Sequence, residues 1–206
     1  MEQQSIYVVF SSTPYKIGKA IRALTRETYN HVSISLDESL SQMYSFSRRY
    51  NRTPFYGGFV RESISRYHRK GHTAQIRVCR LQITTEQHKT LEAHLNTLFE
   101  QKERYLYNHL SASTALLHKP VKVRDAYTCV EFCLEILHAC GVDVDPEKYY
   151  SVGDLEQLLR PFAIYTGPIP EADDYDAAFF AKHPVSHPLR KTIKDILRLF
   201  YRRITT

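Results

Sequence analysis

The segment Asp125-Ala-Tyr-Thr-Cys-Val-Glu-Phe-Cys133 places Cys129 directly after Thr128, at the point where an apolar helical spacing begins. Phe132, Cys133, Ile136, Leu137 and Cys140 recur at intervals of three and four. A helix is therefore predicted over 128–140, with Thr128 as N-cap and Gly141 as its C-terminal stop. A cysteine in the first turn of a helix meets unpaired backbone amides and the positive end of the helix dipole, and both stabilise a thiolate. The thiolate, unlike the thiol, attacks carbonyl carbon readily. Cys133 and Cys140 lie about one and three turns further along much the same face, where a cysteine serves as a small apolar filler.

A cysteine nucleophile needs a base within hydrogen-bond reach. Of the ten histidines, His31 opens the run His-Val-Ser-Ile-Ser-Leu, which puts Val32, Ile34 and Leu36 on one face of a strand and His31, Ser33 and Ser35 on the other. His31 is thus the candidate base. His88, His94 and His138 fall within helical patterns, His183 and His187 flank prolines, and His68, His72, His109 and His118 lie in basic or loop segments. All nine read as surface residues. Glu131 reads as a solvated or structural helix residue.

The elements that must position this pair follow from local pattern. Residues 6–10 form an apolar strand, the turn at Ser11-Ser12-Thr13-Pro14 starts a helix over about 15–24, and 42–48 return as an antiparallel partner of the His31 strand. Residues 51–58, broken by Pro54 and Gly57-Gly58, read as a loop. A further strand at 74–83 alternates apart from a one-residue slip near Cys79. Thr84 with Gln87 fits a capping box for a helix running to about Tyr105. A last strand is expected at 164–167, and the proline-rich, acidic stretch 168–188 reads as an irregular connector.

Asn30-His-Val-Ser-Ile-Ser35 followed by Tyr127-Thr-Cys-Val-Glu-Phe132 resembles the circularly permuted branch of the NlpC-type papain-like cysteine hydrolases, the YiiX/YebB-like group, in which the histidine precedes the cysteine. Tyr44-Ser-Phe-Ser-Arg48 and Gly57-Gly58-Phe59 belong to the same resemblance, which extends more loosely from Tyr7 to about Gly167. It implies an α+β permuted papain-like fold: an antiparallel sheet carrying His31 packs against a helix with Cys129 at its N-terminus. It also implies a third polar residue on the following strand that orients the imidazole. Ser45 matches that position, although the family usually has His, Asn, Gln or an acid there, and Glu62 or a backbone carbonyl is the alternative. Tyr107 matches a tyrosine that joins the Cys129 backbone amide in holding the oxyanion.

The implied activity is hydrolysis of an amide through an acyl-thioenzyme, on small peptides of cell-wall origin. A lipid deacylase or thiol acyltransferase at an anionic membrane is a second reading, and a non-enzymatic binding module on the same scaffold a third.

Composition bounds these readings. The chain has 206 residues, enough for one compact unit, here read as a hydrolase domain over 1–167, the connector, and a basic amphipathic helix over 189–206. A formal charge of +6 favours anionic partners. The basic residues outside the last helix are scattered and form no nucleic-acid recognition motif. No metal-ligand spacing or phosphate-binding glycine loop occurs, so no metal or cofactor is expected. No secretory pattern is legible at 1–10 and no apolar run reaches membrane-spanning length, so the expected setting is reduced and cytoplasmic, with peripheral membrane contact as an option. In the last helix Leu189, Ile193, Ile196, Leu197 and Phe200 share one face amid Arg190, Lys191, Lys194, Arg198, Arg202 and Arg203. That face is expected to dock on its own domain, with an anionic membrane as the alternative.

Overall fold

Runs of alternating apolar residues build a central sheet whose two faces bury different side chains. The structure, a computed structural model, describes residues 2–53, 55–69, 71–171, 175–184 and 186–205. Pro54 of the expected loop and Asp173 and Asp174 of the acidic connector lie outside them. In chain order the elements are β1 (Gln3–Ser11), α1 (Lys16–Thr25), β2 (His31–Ser35), β3 (Met43–Arg48), β4 (Gly57–Glu62), β5 (His68–Arg69), β6 (His72–Thr73), β7 (Gln75–Thr84) and α2 (Thr85–Glu100). There follow β8 (Leu106–Tyr107), α3 (His109–Thr114), β9 (Ala126–Tyr127), α4 (Cys129–Ala139), α5 (Val152–Leu159), β10 (Ala163–Pro168), α6 (Ala177–Phe180) and α7 (Ser186–Thr205).

The main sheet has the order β10-β7-β1-β2-β3-β4-β8-β9. Its neighbours are antiparallel except β8 and β9, which run parallel. The class is α+β with a mostly antiparallel sheet. On one face Val8 and Phe10 of β1, Val32 and Ile34 of β2, and Phe46 of β3 pack against Leu91 and Leu95 of α2 and Phe132 and Leu137 of α4. On the other face Val9, Met43, Ile76 and Val78 pack with Ile64, Tyr67 and Ile169.

The slip near Cys79 has its explanation in these two cores. β7 stays in continuous register with β1. Ile76 and Val78 belong to the second core, whereas Cys79, Leu81 and Ile83 belong to the first. The burial changes face while the backbone does not slip. The capping box at Thr84 forms as the sequence predicts, with the Thr84 hydroxyl accepting from the Gln87 amide at 3.1 Å. The helix ends at Glu100, and turns rather than helix lead to Tyr105.

Three further expectations are corrected. The loop read at 51–58 passes into strand β4, which the short alternation Phe59-Val60-Arg61-Glu62 carries too weakly to be read alone. The connector holds α6, whose Phe179 is buried against Tyr15, while Asp176 pairs with Arg66 at 2.6 Å. Helix α7 does dock, but not by its apolar face. Leu199 is buried beside Leu106, Val123 and Ala126, and Arg198 and Arg202 donate to the carbonyls of Glu103 and Arg104. Leu189, Ile193, Leu197 and Phe200 remain about half or more exposed, since the polar edge of the helix makes the attachment.

Candidate active site

Cys129 is the first residue of α4, and the start of that helix is fixed from three directions. The Thr128 hydroxyl accepts from the Glu131 amide at 3.2 Å, and the Glu131 carboxylate accepts in return from the Thr128 amide at 2.7 Å. That carboxylate also accepts from Ser111 Oγ at 2.5 Å and Asn108 Nδ2 at 3.3 Å. Asn108 in turn caps α3. Glu131 is therefore a buried structural tie and not a solvated residue. On the sheet side Phe46 sets its ring 5.1 Å from that of Tyr127 and 5.4 Å from that of Phe132, clamping both sides of Cys129 against β3.

His31 opens β2, and the residue before it secures the strand entrance. Asn30 Oδ1 accepts from the Thr13 amide at 3.0 Å and Nδ2 donates to Thr13 Oγ1 at 2.8 Å. The His31 ring is 7% exposed as a residue, and its Nε2 lies 3.2 Å from both carboxylate oxygens of Glu62 on β4. Glu62 accepts further hydrogen bonds from Tyr67 at 2.5 Å, Ser47 at 2.6 Å and Ser33 at 2.8 Å. A buried carboxylate with this many donors keeps its charge.

The electrostatics follow. Burial, the largest influence on His31, pushes its pKa down. The charge of Glu62, hydrogen bonds with Cys129 and Glu62, and the charge of Cys129 together prevail and raise it from 6.5 to about 10. Burial likewise works against the Glu62 charge, but the His31 imidazolium, the charge of Arg66 and the Ser47 hydroxyl hold the carboxyl well below its usual range. The pair is imidazolium and carboxylate at neutral pH. Cys129 and that imidazole line the same cavity.

Ser45 is not brought to the imidazole. Its hydroxyl is fully buried and without a hydrogen-bond partner among the described residues, so it cannot orient the ring. The ring is held instead by Glu62, two strands away from His31. The intervening strand carries Met43, Ser45 and Ser47 on that face, and the small side chains of the two serines leave the glutamate room to cross. Tyr107 does come to the site. The parallel pairing of β8 with β9 sets it opposite Tyr127, and it lines the same cavity as Cys129. Burial first, then the charges of Cys129 and Glu131, push its phenol well above the ordinary value, so it stays a proton donor. Gly57 makes room for it, because a Cβ there would come within 3.0 Å of Tyr107 Cβ and 2.9 Å of the Ser47 carbonyl oxygen.

The other cysteines differ from Cys129 in place. Burial pushes Cys79 up to about 12 and raises the buried Cys133 and the half-buried Cys140 as well, leaving neutral thiols. His109 is not the surface residue its segment suggests. It lines the cavity and donates from Nε2 to the Phe55 carbonyl at 2.8 Å, and burial lowers its pKa. Its place comes from α3 folding back over the cleft, which no local pattern marks.

Cys129, His31, Glu62 and Tyr107 form the polar floor of a cavity of about 490 Å³. Ile17 and Ile21 of α1, Phe55, Phe179 and Ile196 of α7 supply apolar walls. Arg48 lies 4.1 Å over the Tyr15 ring at one side. No cluster of three or more His, Cys, Asp or Glu suited to a metal ion occurs among the described residues. Neither protein-family models, nor curated proteins, nor solved structures give a match to this chain.

Proposed function

We propose that the protein is a cysteine hydrolase of the permuted papain-like type that works through an acyl-thioenzyme. The observation that carries this reading is Cys129 at the N-terminus of α4, lining one cavity with a buried imidazole that is itself paired with Glu62. With Nε2 engaged by Glu62, Nδ1 is the nitrogen that exchanges a proton with the sulfur. Cys129 reacts as a thiolate: facing the imidazolium and the helix N-terminus, it attacks the carbonyl carbon. The tetrahedral oxyanion accepts from the Cys129 amide and the Tyr107 hydroxyl. As it collapses, the carbon–heteroatom bond breaks and the leaving amine or alkoxide takes the proton from His31. Water then attacks the thioester and gives a proton to His31, which is neutral after protonating the leaving group; the carbon–sulfur bond breaks, and the carboxylic acid is released as imidazolium and thiolate are restored.

An amide of a small peptide is one substrate for this machinery. The apolar walls favour a second: an acyl group with a long hydrocarbon chain, as in a lipid ester or amide. Both are tested together. An acyl-mimicking electrophile is expected to label Cys129 by mass spectrometry. Cys129→Ala removes the label, and His31→Ala lowers its rate by about 10²–10⁴-fold. Label that persists in Cys129→Ala sinks the proposal. Hydrolysis that quickens with acyl chain length supports the lipid reading, and cleavage of short peptide amides alone supports the other.

A further inference from the structure

Two amphipathic helices flank the mouth of the cleft, and both turn apolar residues outward. On α1, Ile17, Ile21 and Leu24 share one face at spacings of four and three, with exposures of 37%, 39% and 64%. The first two line the cavity itself. On α7, Ile196 lines the same cavity, and Leu189, Ile193 and Phe200 lie seven and three residues before it and four after it, hence on its face. These three are exposed, and so is Ile204 one turn beyond Phe200. The exposed Phe55 also lines the cavity. The two outward stripes thus converge on one opening.

Charge selects what covers them. Lys16 and Lys19 are exposed on α1, which carries no acidic residue, and Arg190, Lys194 and Arg203 are exposed on α7, whose one acid is Asp195. A second copy of the chain seated on this surface would bring these cations against one another. An anionic bilayer meets both demands, with phosphates for the lysines and arginines and acyl chains for the isoleucines and leucines.

We infer that α1 and α7 seat the protein on an anionic lipid surface with the mouth of the cleft facing the lipid. This goes beyond the proposed chemistry and does not require Cys129 to react. The seating presents the apolar walls to acyl chains without carrying them through water.

The test is co-sedimentation of the full chain with vesicles of phosphatidylcholine alone or with phosphatidylglycerol added. Binding to the anionic vesicles is expected, weakening as salt rises, with little binding to phosphatidylcholine alone. Leu24→Asp and Leu197→Asp alter exposed residues that support no core, and each is expected to weaken binding by about tenfold or more. Cys129→Ala is expected to bind as the parent does, which separates the seating from the catalytic proposal. Absence of binding at low salt overturns the inference. So does binding indifferent to both substitutions, since the exposed leucines then make no contact with the lipid. A concentration-dependent dimer abolished by Leu197→Asp, without vesicle binding, also overturns it by assigning the surface to a second copy.

Discussion

The imidazole of His31 is the group whose surroundings most determine what the site can do. Its pKa rises from 6.5 to about 10 because Glu62 lies against Nε2 in a buried setting. A raised folded value means that the pair stabilises the fold fully below about 6.5 and that this contribution is lost as pH climbs through about 10. Glu62 works in the opposite sense: its depressed value gives stability that is present above the ordinary carboxylate range and lost only in strong acid. Glu62→Gln is expected to bring the His31 titration, followed by ring-proton NMR, down from about 10 toward 6.5. The alkaline limit of Cys129 labelling should fall with it. A His31 titration unmoved by this substitution would remove Glu62 from the positioning role. Of these residues, Cys129 and His31 could be read from the sequence, because each stands at the first position of an element with a clear period. Glu62 was harder to assign, since its partner lies two strands away and what admits it is the smallness of the serines between. Local pattern does not record which side chains leave space.

Helix α4 illustrates how an element can be read correctly for reasons that are only half visible. Thr128 followed by Glu131 is a cap signal in the sequence, and the capping box forms. The sequence does not indicate that the same glutamate also holds Ser111 and Asn108, because α3 and β8 have too few residues to announce themselves. Glu131→Ala therefore costs more than a cap. It strands the Thr128 amide and the Ser111 hydroxyl proton in a buried place, while Asn108 Nδ2 keeps the Val121 carbonyl at 2.8 Å, and a loss of roughly 1–3 kcal/mol is expected in denaturant unfolding. Glu131→Gln keeps one acceptor and should lose less. The labelling rate of Cys129 is expected to fall in Glu131→Ala even at temperatures where the protein remains folded, since the start of the helix is no longer held. For short elements such as β4, β8 and β9, pairing partners supply what propensity cannot, and they emerge only with the tertiary structure.

For the whole molecule, the placement of α7 departs most from expectation. An amphipathic helix is ordinarily read as burying its apolar stripe, yet here Leu199 alone among its leucines is buried and the stripe looks outward. The attachment uses side chains that a helical wheel assigns to the polar side, with Arg198 and Arg202 reaching backbone carbonyls. Leu199→Ala is expected to lower the unfolding temperature, with a cost near the lower end of the roughly 2–5 kcal/mol typical of buried leucine truncations, because its cluster is small. Leu197→Ala should be close to neutral. Equal effects from the two would mean that the helix has turned over. The α+β class and the antiparallel pairing of β2 with β3 were legible because strand and helix periods are clear in those segments, whereas helix orientation depends on which carbonyls lie nearby.

The distance along the chain between the site's parts has a consequence for folding. His31 and Glu62 lie in one antiparallel neighbourhood, β2 to β4, formed by short hairpin-like returns. Cys129 joins them from nearly half the chain away, and only after β8 and β9 have paired and α4 has docked. Contacts of such long range carry the larger loop-closure entropy and form late. The imidazolium and its carboxylate can therefore assemble before Cys129 arrives, so the cysteine joins them only when the surrounding sheet is complete. The reactivity proposed for residue 129 would in this sense be a readout of finished folding.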